Sequence, residues 1–245
     1  MFITLRWIIL TVICWPLLLW QGKRARKLAL RLPEAAGPRS GVLGNGEPLR
    51  LLICGDSVAA GVGIAQQQQA FSGQLVELLA KRHQVNWQLA AKTGLDSTGL
   101  NNLLQQLYSH SNAIYQLDLV VVSIGVNDVT ALHSKPEFQQ QIKTLLTRLA
   151  SDFTNPQVLF SAIPPMQHFT ALPSPLNFWL GLKAGMLNQA LASELKNWPK
   201  AQLVYSNLAL TADMLAADGF HPSAKGSRIW AQILAEAIVS PKTKT

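Results

Sequence analysis

The chain opens on MFITLRWIILTVICWPLLLW, residues 1–20, an apolar run in which Arg6 is the sole charge. It reads as one helix, close to the roughly 20 residues that a bilayer span requires. After residue 48 the pattern changes to short apolar runs alternating with amphipathic stretches. Leu49–Cys54, Val85–Ala90, Leu117–Ile124, Val158–Ala162 and Leu203–Tyr205 are predicted strands. Leu117–Ile124 is the clearest of them, β-branched and closed by Gly125. Helices are predicted over Phe71–Arg82, near Leu100–Ser109, near Glu137–Phe153, near Leu182–Trp198, and from Ala224 to about Val239 behind an N-cap at Ser223. Residues 163–180 hold four prolines and no period, which predicts a long loop. Apolar strands alternating with helices predict an α/β domain with a parallel sheet of about five strands, covered on both faces. In such sheets ligands bind outside the carboxyl ends of the strands.

The order of features at the N-terminus separates an anchor from a cleaved leader. A leader places its charge before the apolar core and small residues after it. Here Lys23-Arg24-Ala25-Arg26-Lys27 follows the core, and Trp7 and Trp20 stand where interfacial aromatics are expected. The alternative is a buried N-terminal helix; length, aromatics and flanking charge favour an uncleaved membrane anchor over residues 1–22. A basic juxtamembrane segment and a Gly/Pro-rich linker are expected over 23–48, then one domain over 49–240. The basic flank predicts contact with membrane lipid through residues 1–31 and a domain on the cytoplasmic side.

Composition narrows the function classes. With 245 residues and 49% hydrophobic content the chain can fill one large core. The net charge is +8, but residues 1–31 carry six basic and no acidic side chains, leaving +2 for the rest. Basicity confined to the N-terminus argues against a nucleic-acid partner. Cys14 and Cys54 lack the CxxC spacing of a metal or redox site, and no Gly-Lys-Ser/Thr follows the first strand to make a P-loop. No cofactor and no metal is expected.

Four clusters lie where an α/β sheet places its chemistry: Gly55-Asp56-Ser57 after the first strand, Lys92–Ser97 after the second, Gly125–Asp128 after the third, and Asp218–Ser223 before the last helix. Each alone is an ordinary turn. Together they hold the parts of an acyl transfer. A serine hydroxyl needs a base, for which His221 is the candidate, and the imidazole needs a carboxylate, for which Asp218 is the candidate. The Ser57 and Gly94 backbone N–H groups and the Asn127 amide are candidate donors to an oxyanion.

At this point the chain resembles a family. GDSVAAG, the glycine of KTGLDS, GVND and DGFHPS are similar to the four sequence blocks of SGNH hydrolases, also called GDSL lipases and esterases. Val58 departs from the leucine of many members. The resemblance implies a flavodoxin-like three-layer α/β/α sandwich, a nucleophile at Ser57, an Asp218–His221 pair, and an oxyanion hole from Ser57, Gly94 and Asn127.

Substrate class is the open choice. Met166, Phe169, Leu172, Leu176, Phe178 and Trp179 are candidate lining for an acyl chain, or else they pack over the sheet edge. The favoured expectation is a serine acyl hydrolase acting on a carboxylic ester or thioester of an amphiphile. A carbohydrate O-deacetylase and a catalytically inactive, membrane-tethered binding module are the alternatives.

Overall fold

The structure is a computed structural model that describes residues 2–108, 116–206 and 210–239. The expected helix end at Ser109 and the expected domain end at 240 lie outside the described residues. In chain order the elements are α1 (Phe2–Leu28), β1 (Ser40–Leu43), β2 (Glu47–Gly55), α2 (Ser57–Ala60), α3 (Phe71–Ala80), β3 (His83–Ala91), α4 (Ser97–Tyr108), β4 (Leu119–Ser123), α5 (Val126–Thr130), α6 (Lys135–Ser151), β5 (Gln157–Ser161), α7 (Leu176–Leu195), β6 (Ala201–Val204) and α8 (Ala224–Val239).

Among the described residues the strands form one six-stranded sheet in the order β1-β3-β2-β4-β5-β6. All neighbours are parallel except β1, which runs antiparallel to β3. Alternation along the central strands makes two cores. Leu52, Cys54, Val120 and Val122 face one way, toward Leu100 and Leu104 of α4, Ile142 and Leu145 of α6 and Leu187 of α7. Leu51, Ile53 and Val121 face the other, toward Leu75 of α3 and Leu234 of α8. Each fully buried Leu, Ile or Val contributes about 1.5–3 kcal/mol, so three layers are the stable solution for strands apolar on both faces.

Three expectations are corrected. The stretch expected as a linker contains β1, whose residues are all exposed. With no buried side chain, that strand is held by backbone pairing to β3, from Ser40 opposite Gln88 to Leu43 opposite Val85. The loop expected over 163–180 ends early, because α7 begins at Leu176. Apolar side chains in that helix are not confined to its buried face, Phe178 being 56% exposed, so the stripe is blurred in its first turn. The first helix runs through the basic stretch to Leu28, past the expected boundary at residue 22. Ser223 does cap α8, its Oγ accepting from the Gly226 N–H at 3.2 Å.

By length and composition α1 could cross a membrane. In the structure it lies along α7. Thr4, Trp7, Thr11, Cys14, Leu18, Gln21 and Ala25, at heptad spacing, are shielded by the domain. Trp7 stacks on Trp179 with ring centroids 5.4 Å apart. The Trp179 Nε1–H donates to Thr11 Oγ1 at 2.6 Å. Gln21 donates to the Ser174 carbonyl at 2.7 Å and accepts from the Leu176 N–H at 3.2 Å. On the opposite face Leu5, Ile8, Ile9, Val12 and Ile13 are exposed.

The tightest point of the sheet is at the end of β2. A Cβ on Gly55 would sit 2.0 Å from the Ser123 carbonyl oxygen of β4. Gly55→Ala is therefore expected to cost about 3 kcal/mol, since backbone on both sides must move. The measurement is the urea midpoint, which falls at unchanged slope. An unchanged midpoint would show that the two strands part there without cost.

Candidate active site

Ser57 follows directly from the way β2 stops. Asp56 leaves the sheet as the N-cap of α2, its carboxylate accepting from the Val58 N–H at 3.0 Å. Ser57 is then the first residue of that short helix, where a backbone N–H has no intrahelical partner. The last turn closes on Gly61 in the left-handed conformation. A Cβ there would meet the Ala70 and Ala35 methyls at 2.6 and 2.8 Å, so the small residues after Ser57 serve close packing.

Across 164 residues of sequence, His221 Nε2 lies 2.9 Å from Ser57 Oγ. Its Nδ1 lies 2.6 Å from Asp218 Oδ2. The other Asp218 oxygen accepts from the backbone N–H groups of Phe220 and His221, both at 3.0 Å. The Asp218 and His221 side chains are only 5% and 16% exposed, which keeps bulk water from competing for these bonds. Burial alone would raise the Asp218 carboxyl. The His221 ring and the two backbone donors outweigh it and hold the carboxyl below its ordinary value.

Gly94 stands on the loop after β3 and Asn127 in the first turn of α5 after β4, and those two strands flank β2. Gly94 is left-handed at φ +83° and faces open space, with nothing within 4 Å of an added Cβ. The Asn127 amide donates to the Leu95 carbonyl at 2.8 Å, which ties α5 to the loop after β3 and leaves its second N–H for another acceptor. Sequence reading named these residues and missed the group behind them. Asp128 is fully buried and accepts from the Ser97 N–H at 3.0 Å, from the Ser97 hydroxyl, and from His133 Nδ1 at 3.0 Å. Both Ser97 and Asp128 lie inside the quoted clusters, so the available signal was a carboxylate paired with a hydroxyl one loop away. Burial raises the Asp128 carboxyl against the pull of those bonds.

The expected lining residues separate. Phe169 joins Ser57, Val58, Leu215, Phe220 and His221 around a small apolar cavity of about 40 Å³. Leu172, Leu176 and Trp179 line a larger groove on the other side of His221. Met166 is wholly buried in the core, and Phe178 is 56% exposed beside a third cavity that lacks His221.

A hydroxyl, an imidazole and a carboxylate in series can move a proton off Ser57 while Asp218 supports the charge that forms on His221. Set at the carboxyl edge of an α/β sheet, that series defines a class of site, and the sequence comparison assigns the chain to a family. The profile of the GDSL-like Lipase/Acylhydrolase family matches residues 53–229, and the chain belongs to that family. It is 25% identical over 194 residues to the GDSL-like esterase Rv1075c of Mycobacterium tuberculosis (strain ATCC 25618 / H37Rv). That match covers 76% of this chain but 60% of the relative, so the chain spans less than two thirds of that protein's length. Among solved structures, the psychrotrophic esterase EstA from Pseudoalteromonas sp. aligns with TM-score 0.60 at 19% identity, over 78% of this chain and 97% of that one. Est24, a carbohydrate acetylesterase from Sinorhizobium meliloti, aligns with TM-score 0.58 at 18% identity, over 79% and 99%. At these identities the likeness is one of fold.

Asp56 provides a pH test of the site's burial. Its carboxyl is pushed up to about 7, first by burial and then by the nearby Asp128, against the Val58 N–H. A folded value above the unfolded 3.8 means stability that is full below pH 3.8 and lost as pH rises through about 7. Asp56→Asn keeps a capping oxygen and cannot ionise. The unfolding midpoint of the wild type, relative to this variant, is expected to fall across that window. A constant difference from pH 3.8 to 7 would place Asp56 in water.

Proposed function

We propose that this protein is a serine acyl hydrolase cleaving a carboxylic ester or thioester of an amphiphilic substrate through an acyl-enzyme on Ser57. The observation that carries the reading is the hydrogen-bonded series Ser57–His221–Asp218. Ser57 Oγ attacks the acyl carbon as its proton passes to His221 Nε2. The carbonyl electron pair moves onto oxygen, which accepts from the Ser57 and Gly94 N–H groups and the Asn127 amide. Collapse of this intermediate expels the alcohol or thiol, protonated by His221, and leaves the acyl group on Ser57. Water, deprotonated by the same imidazole, then releases the acid and restores the hydroxyl.

The apolar surroundings of Ser57 favour an acyl chain over a sugar, with Phe169 beside the nucleophile and Leu172 and Trp179 farther out. Met166 and Phe178 are assigned to packing and to the surface, respectively. The fold reading that accompanies this function is flavodoxin-like, supported by the order of the five parallel strands, second-first-third-fourth-fifth. We further propose that α1 attaches the enzyme to a bilayer. Docked on α7, it lies along the membrane surface with its exposed apolar face in lipid. The basic residues from Lys23 to Arg31 suit the anionic cytoplasmic leaflet.

A fluorophosphonate probe should label the wild type at Ser57 and leave Ser57→Ala unlabelled. Turnover of an aryl ester by that variant should drop by roughly 10⁴–10⁶-fold with the fold intact. Labelling of Ser57→Ala, or retention of a few per cent of the rate, would assign the chemistry to another group.

Asn127→Ala should lower kcat by roughly 10²–10³-fold with little change in KM, the effect of one oxyanion donor. A change confined to KM would make Asn127 a substrate-binding group instead.

A further inference from the structure

α1 does more than cover α7. Its C-terminal half lines a groove of about 720 Å³ whose lining also includes Asp218, Phe220 and His221. That volume lies within the roughly 300–1,000 Å³ of small-molecule sites. Leu19, Leu28, Leu172, Leu176 and Trp179 make the sides apolar. The rim toward solvent is cationic, with Lys23, Arg24 and Arg26 all lining it. Among the described residues that line it, Asp218 is the only acidic one, and its carboxylate is already engaged by His221. Arg26 donates to the Thr130 carbonyl at 3.2 Å, three residues beyond Asn127, so one cation stands at the end of the short helix α5 that holds a proposed oxyanion donor. A guanidinium has five N–H donors, and this contact leaves others free for a ligand.

We propose that this groove binds an anionic amphiphilic ester, with the chain along the apolar walls and the charged head on Lys23, Arg24 and Arg26. Charge complementarity names the head, because three cations line the rim and, among the described lining residues, no unengaged carboxylate opposes them. The position of α1 names the route. The same helix exposes Leu5, Ile8 and Val12, and their row continues at helical spacing into Trp15 and Leu19 of the groove, so a substrate leaving lipid meets the groove without crossing water. The inference takes its chemistry from the serine hydrolase reading, but not its binding.

Two variants separate a shaped groove from a merely charged surface. Gly22 lines the groove and a Cβ there would meet nothing within 4 Å, so Gly22→Phe fills space at constant charge. Lys23→Gln/Arg24→Gln/Arg26→Gln removes the cations and leaves the walls. The full-length enzyme is assayed in dodecyl maltoside micelles on palmitoyl-lysophosphatidylglycerol and palmitoyl-lysophosphatidylcholine at equal mole fraction. The wild type should prefer the anionic ester by at least ~10-fold in kcat/KM, and the charge variant should bring that ratio near one. Gly22→Phe should lower the ratio of palmitoyl ester to aryl acetate turnover by at least ~10-fold. Either ratio remaining at its wild-type value overturns the proposal. Binding of palmitoyl-lysophosphatidylglycerol to full-length Ser57→Ala, followed by tryptophan fluorescence, decides the groove independently of turnover. It should weaken when Gly22→Phe is added, and equal affinity again overturns the proposal. A wild type that hydrolyses none of the esters would sink the hydrolase reading alone.

Discussion

β2 and β4 stay paired to their last residues because Gly55 has no side chain. A Cβ would collide with the Ser123 carbonyl, and that same carbonyl accepts from the Asp56 N–H at 3.0 Å. The pairing therefore continues one residue past the strand and delivers Asp56 to cap α2, which sets Ser57 at the mouth of the sheet. Gly94 and Asn127 hang from the two strands flanking β2, so the same registration decides where they stand relative to Ser57. A slip of one residue would turn every side chain of β2 to the opposite face. Burial of Leu52 and Cys54 on one side and Leu51 and Ile53 on the other makes the register costly to lose.

Asp56, Asp128 and Asp218 stand close to the strand ends, and each is tuned by its own donors. Asp56 is wholly buried with one backbone donor to its side chain, and burial wins. Asp128 has a hydroxyl, a backbone N–H and an imidazole, yet its burial still raises it. Asp218 collects the His221 ring and two backbone N–H groups at a less enclosed position, and there the donors win. The balance between desolvation and hydrogen bonding thus keeps one anion beside the imidazole and makes the other two reluctant to ionise. Cys54, two residues before Asp56 in β2, is pushed up to about 12 by burial and acts as core.

α1 joins two roles that are usually separate. One face is fastened to α7 by a tryptophan stack and by hydrogen bonds from Trp179 and Gln21. The other face is a row of exposed aliphatic side chains. Thr11 and Gln21, polar residues in or next to the apolar run, are turned inward with Leu18, and the domain gives them hydrogen-bond partners. The same docking carries the basic end of the helix to the rim of the groove that reaches His221.

Much of this was legible in the order of residues. Leu119–Ser123 is buried at every position, and such a run announces a central strand without help from elsewhere. The four clusters at strand ends and before α8 were legible because Gly, Asp, Ser, Asn and His interrupt otherwise apolar patterns there. β1 was not legible, since a strand with all four residues exposed has no hydrophobic period and exists only because β3 offers an edge. The start of α7 was hidden because apolar side chains such as Phe178 also stand on its exposed side and blur the stripe. The Asp128–Ser97–His133 group was hidden for a related reason, since its members are ordinary turn residues until the loops are brought within hydrogen-bond distance. The sequence by itself determined which segments are apolar enough to be strands and helices, and where chemistry-bearing side chains interrupt them. Tertiary structure alone decided which face of α1 meets the domain and that its basic end borders the groove beside His221. The face that a helix buries is a property of the surface opposite it, and that surface is assembled from residues more than 150 positions away.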